Sequence, residues 1–110
     1  MNKPTIDELE MLNPDELGEL LHTKVSQYYV DVQFVQDLLD VGCPIDARDP
    51  WGRTALHYAA SGGHLEAVEF MISKGAWVDA QDEDDLAALD FATLNGHLEV
   101  VKFLISRGAG

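Results

Sequence analysis

The sequence predicts an all-α protein, built as a solenoid of about three helix–turn–helix units behind an N-terminal helical cap. Its second half repeats itself with a lag of 33 residues. Residues 49–76 align with residues 82–109 without a gap, and 14 of the 28 aligned positions are identical. Each unit contains two short segments of apolar periodicity separated by glycine. Units of this length stack side by side because one unit alone cannot bury its apolar face.

Composition limits the classes of function. The 110 residues suffice for one domain. Twenty acidic and seven basic side chains give a net charge of −13, which argues against binding a nucleic-acid backbone. No apolar run is long enough for a membrane span, so direct membrane insertion is not expected. The single cysteine, Cys43, cannot form an internal disulfide, which favours a reducing, intracellular setting without distinguishing cytoplasm, nucleus and organelle stroma.

Residues 1–19 predict an acidic N-terminal helical cap. The spacing of Thr5 with Glu8, and of Asn13 with Glu16, is that of two capping boxes. Pro14 suits the first position of a helix. We expect a short acidic helix and then a helix that merges into the first repeat. The segment could serve as a simple cap or dock to a partner.

Residues 20–48 predict a degenerate first repeat. Shifting the repeat back by one period places apolar side chains over 31–41, so we expect a second helix there that ends at Gly42. The helix before it is atypical, because residues 26–29 read Ser-Gln-Tyr-Tyr where small side chains are usual in the other units. A first repeat packs on one side only and therefore tolerates this departure.

Residues 49–81 predict a regular repeat. Its first helix should run from Thr54, a capping residue, to Ser61, with small apolar side chains along one face. Its second helix should run from Leu65 to Lys74 and end at Gly75.

Residues 82–110 predict a less regular third repeat. Asp85 replaces the turn glycine Gly52, and aspartate tolerates a left-handed backbone better than most residues. Ala87 replaces Thr54 and removes a capping hydroxyl, which costs about 1 kcal/mol. We therefore expect a looser turn and helix start in this repeat.

The run Asp-Pro-Trp-Gly-Arg-Thr-Ala-Leu-His-Tyr-Ala-Ala over 49–60, with Gly-His-Leu-Glu over 63–66 and Gly-Ala over 75–76, resembles the ankyrin repeat, whose pattern begins D-x-x-G-x-T-x-L-H-x-A-A. The resemblance covers residues 49–109 and extends less closely over 20–48. It implies a non-catalytic protein-interaction module whose turns project as hairpin fingers and, with the first helices, line a concave face for partners. It also implies that His57 bonds to neighbouring backbone and orders the turn.

The sequence offers no catalytic, cofactor or metal site. It lacks the glycine-rich motifs of nucleotide-binding loops and the histidine–cysteine spacing of zinc sites. The acidic run that begins at Asp82 fails as a calcium loop, because position 6 is Ala87 and position 12 is Thr93. Cys43 occupies a position where the family usually has alanine, so we expect a small buried residue.

The candidate partner-binding residues are those that the framework of the resembling family does not use. Tryptophan is enriched in binding hot spots, and acids beside exposed apolar groups suit a basic, partly apolar protein or peptide. The alternatives are a solvated acidic loop and tryptophans that pack on their own hairpins. The candidates are Trp51, Arg53, Trp77, Asp82, Glu83, Asp84, Asp85, Leu86 and Leu94.

The last repeat retains the apolar character of an internal one. Val100, Phe103 and Leu104 are therefore candidates for a face that meets a following repeat or a second copy in a homodimer. Two other functions stay open at this stage. The chain could escort a basic or membrane-protein client, or it could be a structural fragment that assembles through this apolar face.

Overall fold

The computed structural model describes residues 6–25 and 32–109. Within these ranges the chain forms seven α-helices and no strand, which confirms the predicted all-helical stack. The helices are α1 (Ile6–Glu10), α2 (Pro14–Val25), α3 (Val32–Asp40), α4 (Ala55–Ser61), α5 (Leu65–Ser73), α6 (Ala88–Leu94) and α7 (Leu98–Ser106). None of these helices has the length and apolar character needed to cross a bilayer.

The helices form two rows. The inner row is α2, α4 and α6, and the outer row is α3, α5 and α7. The inner helices approach one another more closely than the outer ones, above all α4 and α6. Small buried side chains permit this approach: Ala55, Ala59, Ala60, Ala88 and Ala92.

The N-terminal helices confirm one of the two predicted capping boxes. The Asn13 N–H donates to Glu16 Oε1 at 3.1 Å, and the Glu16 N–H donates to Asn13 Oδ1 at 2.8 Å. Thr5 of the other box, and residues 26–29, lie outside the described residues. Helix α2 runs unbroken from Pro14 to Val25, so the boundary expected between residues 19 and 20 falls inside one helix. That helix is the inner helix of the first repeat.

The start of α6 keeps the geometry of its counterpart α4 despite the lost hydroxyl. The Thr54 N–H donates to His57 Nδ1 at 3.0 Å, and the Ala87 N–H donates to Asp90 Oδ2 at 2.8 Å. The Asp90 carboxylate thus replaces the imidazole as the acceptor. The expected looser helix start is not visible in this geometry.

The middle and last repeats are also joined where their two helices meet. The carbonyl oxygen of Ser61 accepts hydrogen bonds from Asn95 Nδ2 at 3.0 Å and from His97 Nε2 at 2.9 Å. These links lie at the opposite end of α4 from Thr54. One apolar core runs between the two ends, with Leu56, Val68 and Leu104 buried in it.

Candidate interaction surface

The first finger, residues 49–53, is closed by its own aspartate. Asp49 Oδ1 accepts the N–H groups of Trp51 at 3.0 Å and Arg53 at 2.9 Å, an Asx-turn arrangement. The Tyr58 hydroxyl donates to the other carboxylate oxygen. Burial alone would raise the pKa of the Asp49 carboxyl, but these hydrogen bonds outweigh it and the pKa lies below its usual value.

The second finger, residues 82–86, repeats this construction. Asp82 Oδ1 accepts the N–H groups of Asp84 and Leu86, each at 2.9 Å. The Asp82 side chain points into the turn, and only 6% of the residue is exposed. The expectation that Asp82 contacts a partner is therefore wrong, because its carboxylate already holds the finger together.

Arg53 joins the two fingers. Its Nε lies 3.5 Å from Asp82 Oδ2, and its guanidinium carbon lies 5.2 Å from the Phe91 ring centroid and 5.9 Å from that of Trp51. Burial raises the pKa of the Asp82 carboxyl, but the Leu86 and Asp84 N–H groups and Arg53 together hold it below its usual value. Arg53 was predicted to contact a partner. In the structure it is half-buried and links the first finger to Asp82 of the second.

Backbone and side-chain bonds hold the fingers side by side. The Glu83 N–H donates to the Trp51 carbonyl at 3.0 Å. Arg48 Nη1 donates to the carbonyls of Gly52, at 2.8 Å, and Gln81. Neither the Arg48 bonds to these carbonyls nor the Tyr58 bond to Asp49 was predicted. The one signal in the sequence for the Arg48–Gln81 hydrogen bond was that these two residues are one repeat period, 33 residues, apart.

The exposed group that results is the finger patch: Trp51, Glu83, Asp84 and Asp85. Trp51 is 59% exposed, and all three acids are exposed. Trp77 is 57% exposed, and its backbone N–H donates to Asp46 Oδ1 at 3.1 Å. Both tryptophans are thus more exposed than buried, while the Trp51 ring lies beside the Arg53 guanidinium of its own finger.

Of the two predicted leucines, Leu86 ends the second finger and Leu94 ends helix α6. Leu86 is half-buried, and its carbonyl accepts a hydrogen bond from His57 Nε2 at 2.8 Å. Leu94 is exposed but ends α6, whereas the finger precedes the start of that helix. The seven residues of α6 span about 10 Å, so Leu94 lies away from the acids.

The apolar face predicted on the last repeat consists of different residues. Val100 and Leu104 are buried in the core, and Phe103 is half-buried beside the Arg107 guanidinium, 5.1 Å from its ring centroid. The expectation that Val100 and Leu104 form an open face is therefore wrong. The exposed large apolar side chains of this repeat are Leu94, Leu98 and Ile105.

A cleft of about 500 Å³ lies between α2 and the loop that carries the first finger. Asp15 and Glu19 line it from the helix, and Arg48 and Asp49 line it from the loop. His22 Nε2 lies 2.7 Å from the Ala47 carbonyl oxygen and fixes the two walls relative to each other. This cleft was not predicted, because the sequence does not show how α2 lies against the loop over residues 44–50.

No group of three or more His, Cys, Asp or Glu side chains within residues 6–25 and 32–109 could hold a metal ion. Cys43 is buried as predicted, and this burial raises the pKa of its thiol to about 11. The thiol is therefore protonated, and a weak nucleophile, at neutral pH.

Comparisons with known proteins agree with this geometry. A family model described as ankyrin repeats, in three copies, matches residues 21–110. A potassium channel of Oryza sativa subsp. japonica, AKT2, is 38% identical over 65 residues, which cover 54% of this chain. The chain spans 8% of the length of that channel.

Proposed function

Because this chain belongs to the ankyrin-repeat family, whose repeats are protein–protein interaction modules, we propose that it binds a basic, partly apolar segment of a partner protein through its finger patch. The observation that carries the proposal is the position of three consecutive exposed acids, Glu83, Asp84 and Asp85, beside the exposed ring of Trp51. The acids would pair with lysine or arginine side chains, and the indole would cover apolar area.

The fingers support this proposal because they are held in place before a partner arrives. Asp49 and Asp82 close their own turns, and Arg53 and the Glu83 N–H tie one finger to the other. A surface that is already ordered loses little conformational entropy on binding. More of the contact energy is then available as affinity.

The charge of the whole chain favours the same class of partner. The net charge is −13, and the cleft beside the first finger adds Asp15 and Glu19 to the acidic surface. Such a field attracts a basic segment and raises the association rate. We propose a non-catalytic role in a reducing, intracellular setting, as the single cysteine suggests.

Affinity capture from a cell extract tests the acids. The parent chain is compared with a finger variant, Glu83→Gln with Asp84→Asn and Asp85→Asn, and with a control that loses three exposed acids of the outer row, Glu66→Gln with Glu69→Gln and Glu99→Gln. We expect basic proteins, identified by mass spectrometry, to be held by the parent and the control and lost by the finger variant. Equal capture by all three would overturn the proposal.

The tryptophan is tested on a partner purified from that capture. Trp51→Ala should raise the dissociation rate by about tenfold, since aromatic hot spots act mainly on complex lifetime. Met11→Ala removes another exposed apolar side chain far along the sequence and is the matched control. Unchanged dissociation of Trp51→Ala would show that the indole is not in the interface.

A further inference from the structure

The inner helix of the first repeat takes the place that a finger has in the other two repeats. One period before the first finger, residues 49–53, lie residues 16–20, and these belong to helix α2. The first finger therefore has a helix on one side and the second finger on the other. The cleft of about 500 Å³ lies on the side of the helix, and we call it the α2 cleft.

One face of α2 lines the α2 cleft. Its residues are Asp15, Gly18, Glu19 and His22, and the spacing of three, four and seven from the first to the others makes them neighbours on the helix surface. A Cβ added to Gly18 would lie 3.1 Å from the Cβ of Ala47, which lines the cleft from the loop. The glycine thus allows the helix and the loop to approach each other closely beside the cleft.

His22 contributes a buried hydrogen-bond acceptor to the α2 cleft. The residue lines the cleft although only 8% of it is exposed. Its Nε2 lies 2.7 Å from the Ala47 carbonyl oxygen, which can only accept, so the neutral ring carries its proton on Nε2. Nδ1 is then an acceptor, and no residue within 6–25 and 32–109 donates to it. An N–H donor of a ligand would complete the hydrogen bonding of the ring.

The charged groups of the α2 cleft attract a cation. Asp15 and Glu19 are exposed, and in the described part of the chain neither side chain has a hydrogen bond or an ion pair. Asp49 lines the opposite wall, and the lowered pKa of its carboxyl keeps it ionised at neutral pH. The base in the lining is Arg48, whose Nη1 already donates to two backbone carbonyls. Three carboxylates against one base favour a positively charged ligand.

We propose that the α2 cleft binds the side chain of an arginine in the partner segment. A guanidinium carries five N–H donors in a planar fork, so it can bond to the Glu19 carboxylate and to His22 Nδ1 at the same time. Its weakly hydrated faces suit the prolines of the lining, Pro14, Pro44 and Pro50. A lysine ammonium is more compact and more strongly hydrated, so it fits this lining less well. Clefts of about 300–1,000 Å³ hold small ligands, so the space suffices for one side chain.

This inference rests on the proposed function and adds a specific contact to it. Pro50 lines the α2 cleft, and the next residue, Trp51, belongs to the finger patch. Neighbouring units of a helical stack lie about 8–10 Å apart, and an extended chain advances about 3.3–3.6 Å per residue. The arginine should therefore lie about three residues along the segment from the bases that pair with the acids of the finger patch.

The probe is Nα-acetyl-arginine methylamide, titrated into the isotope-labelled chain and followed by NMR. The backbone amides of α2 and of residues 44–50 should shift, together with the ring Nδ1 of His22. The citrulline analogue has the same shape without the charge, and it should bind at least about fivefold more weakly. The lysine analogue should bind at least about twofold more weakly.

A pair of charge variants tests the walls of the α2 cleft. The cleft variant is Asp15→Asn with Glu19→Gln, which leaves the capping box at the start of α2 in place. The matched control is Glu66→Gln with Glu69→Gln, because these are also two exposed acids of a single helix, α5. We expect the dissociation constant of the arginine probe to rise at least about fivefold in the cleft variant and less than about twofold in the control.

Equal affinity of the parent and the cleft variant for the arginine probe would overturn the inference. So would equal weakening in the two charge variants, shifts confined to the finger patch, or equal binding of the citrulline or lysine analogue. The titration contains no partner protein, so its failure would not change the result of the capture experiment on the finger patch. Equal capture by the parent and the finger variant would overturn the proposed function without changing the titration.

Discussion

His57 shows how one side chain connects two repeats. Its Nδ1 accepts the Thr54 N–H at 3.0 Å, which places the ring proton on Nε2, and Nε2 donates to the Leu86 carbonyl at 2.8 Å. The residue is buried. Burial lowers the pKa of His57, and it outweighs the Leu86 carbonyl and the Asp82 carboxylate, which favour the protonated ring. A protonated ring would carry N–H groups on both nitrogens and leave the Thr54 N–H without an acceptor.

We predict that stability falls as the pH is lowered from 7 toward 5. The unfolded chain protonates His57 near the usual pKa of 6.5, whereas the folded chain protonates it at a lower pH. The unfolded state therefore binds more protons in this window, so the free energy of unfolding decreases with decreasing pH. Urea unfolding at several pH values measures this decrease in the free energy of unfolding. The lowered pKa values of Asp49 and Asp82 act separately, below about pH 4.

His57→Gln is the control for this pH dependence. The variant is less stable overall, but its free energy of unfolding should change less between pH 7 and 5 than that of the parent. The comparison separates His57 from the other histidines, which remain in both chains. Parallel pH profiles for the two chains would show that His57 does not cause the loss.

Sequence reasoning reached the roles of single residues only where their partners are local. The family pattern implied that His57 bonds to neighbouring backbone, and its bond to the Thr54 N–H confirms this. The bond from its Nε2 to the Leu86 carbonyl, 29 residues away in the next repeat, was not predicted. Arg53 was predicted as a contact residue, because the sequence alone does not show that its charge faces Asp82. The buried position of Asp82 follows from the closed turn and was missed for the same reason.

The two fingers have one backbone conformation and different neighbours. Gly52 has φ of 78°, and Asp85 at the equivalent position has φ of 61°. A Cβ added to Gly52 would lie 3.1 Å from the Glu83 backbone nitrogen, because the second finger packs there. The first finger therefore requires glycine for space as well as for conformation. The prediction of a left-handed turn residue at Asp85 is confirmed.

We predict opposite effects of exchanging these turn residues. Asp85→Gly should raise the free energy of unfolding by about 0.5–1 kcal/mol, since it relieves a left-handed non-glycine residue. Gly52→Ala should lower it by about 1–2 kcal/mol or more, through strain and the close Glu83 nitrogen. Denaturant unfolding measures both. Asp84→Gly is the control, and it should not stabilise the chain, because the backbone of Asp84 is not left-handed. A loss of stability in Asp85→Gly would contradict this account.

The bounds of a helix were predictable where its capping residues and the alignment of the repeats agreed. In the middle repeat, the cap at Thr54 and the glycine at Gly75 bracket α4 and α5, and the helices lie within those limits. For α2, Asn13 and Pro14 marked the start correctly. The helix runs on past residue 20, as expected for a helix that merges into the first repeat.

Excess negative charge acts on the molecule as a whole. The chain carries −13 on a body with extents of 38 × 24 × 23 Å. Charges at this density lie within about one Debye length of each other at physiological salt. Their repulsion opposes the compact state more than the extended one.

We predict that added salt stabilises the protein. Raising sodium chloride from about 0.05 M to about 0.5 M screens the repulsion and should raise the melting temperature by about 3–6 °C. Thermal unfolding followed by circular dichroism measures the shift. The control with Glu66→Gln, Glu69→Gln and Glu99→Gln should show a smaller rise. A melting temperature that falls with salt would mean that attractive pairs such as Arg53–Asp82 dominate.

The sequence predicted the number and order of the repeats but not which side chains of α7 are open. Residues 98–106 read Leu-Glu-Val-Val-Lys-Phe-Leu-Ile-Ser, with apolar groups around most of the helix. Periodicity cannot then separate the side facing α6 from the side facing outward. The structure buries Val100 and Leu104 and leaves Leu98 and Ile105 exposed.

Hydrogen bonds hold the middle and last repeats together at two opposite edges of their interface. At one edge the Glu83 N–H donates to the Trp51 carbonyl, and at the other Asn95 and His97 donate to the Ser61 carbonyl. Two repeats bonded at one edge only could rotate about that edge, whereas bonds at two opposite edges restrict the rotation. A displacement of the second finger should therefore move α6 and α7 together as one rigid unit.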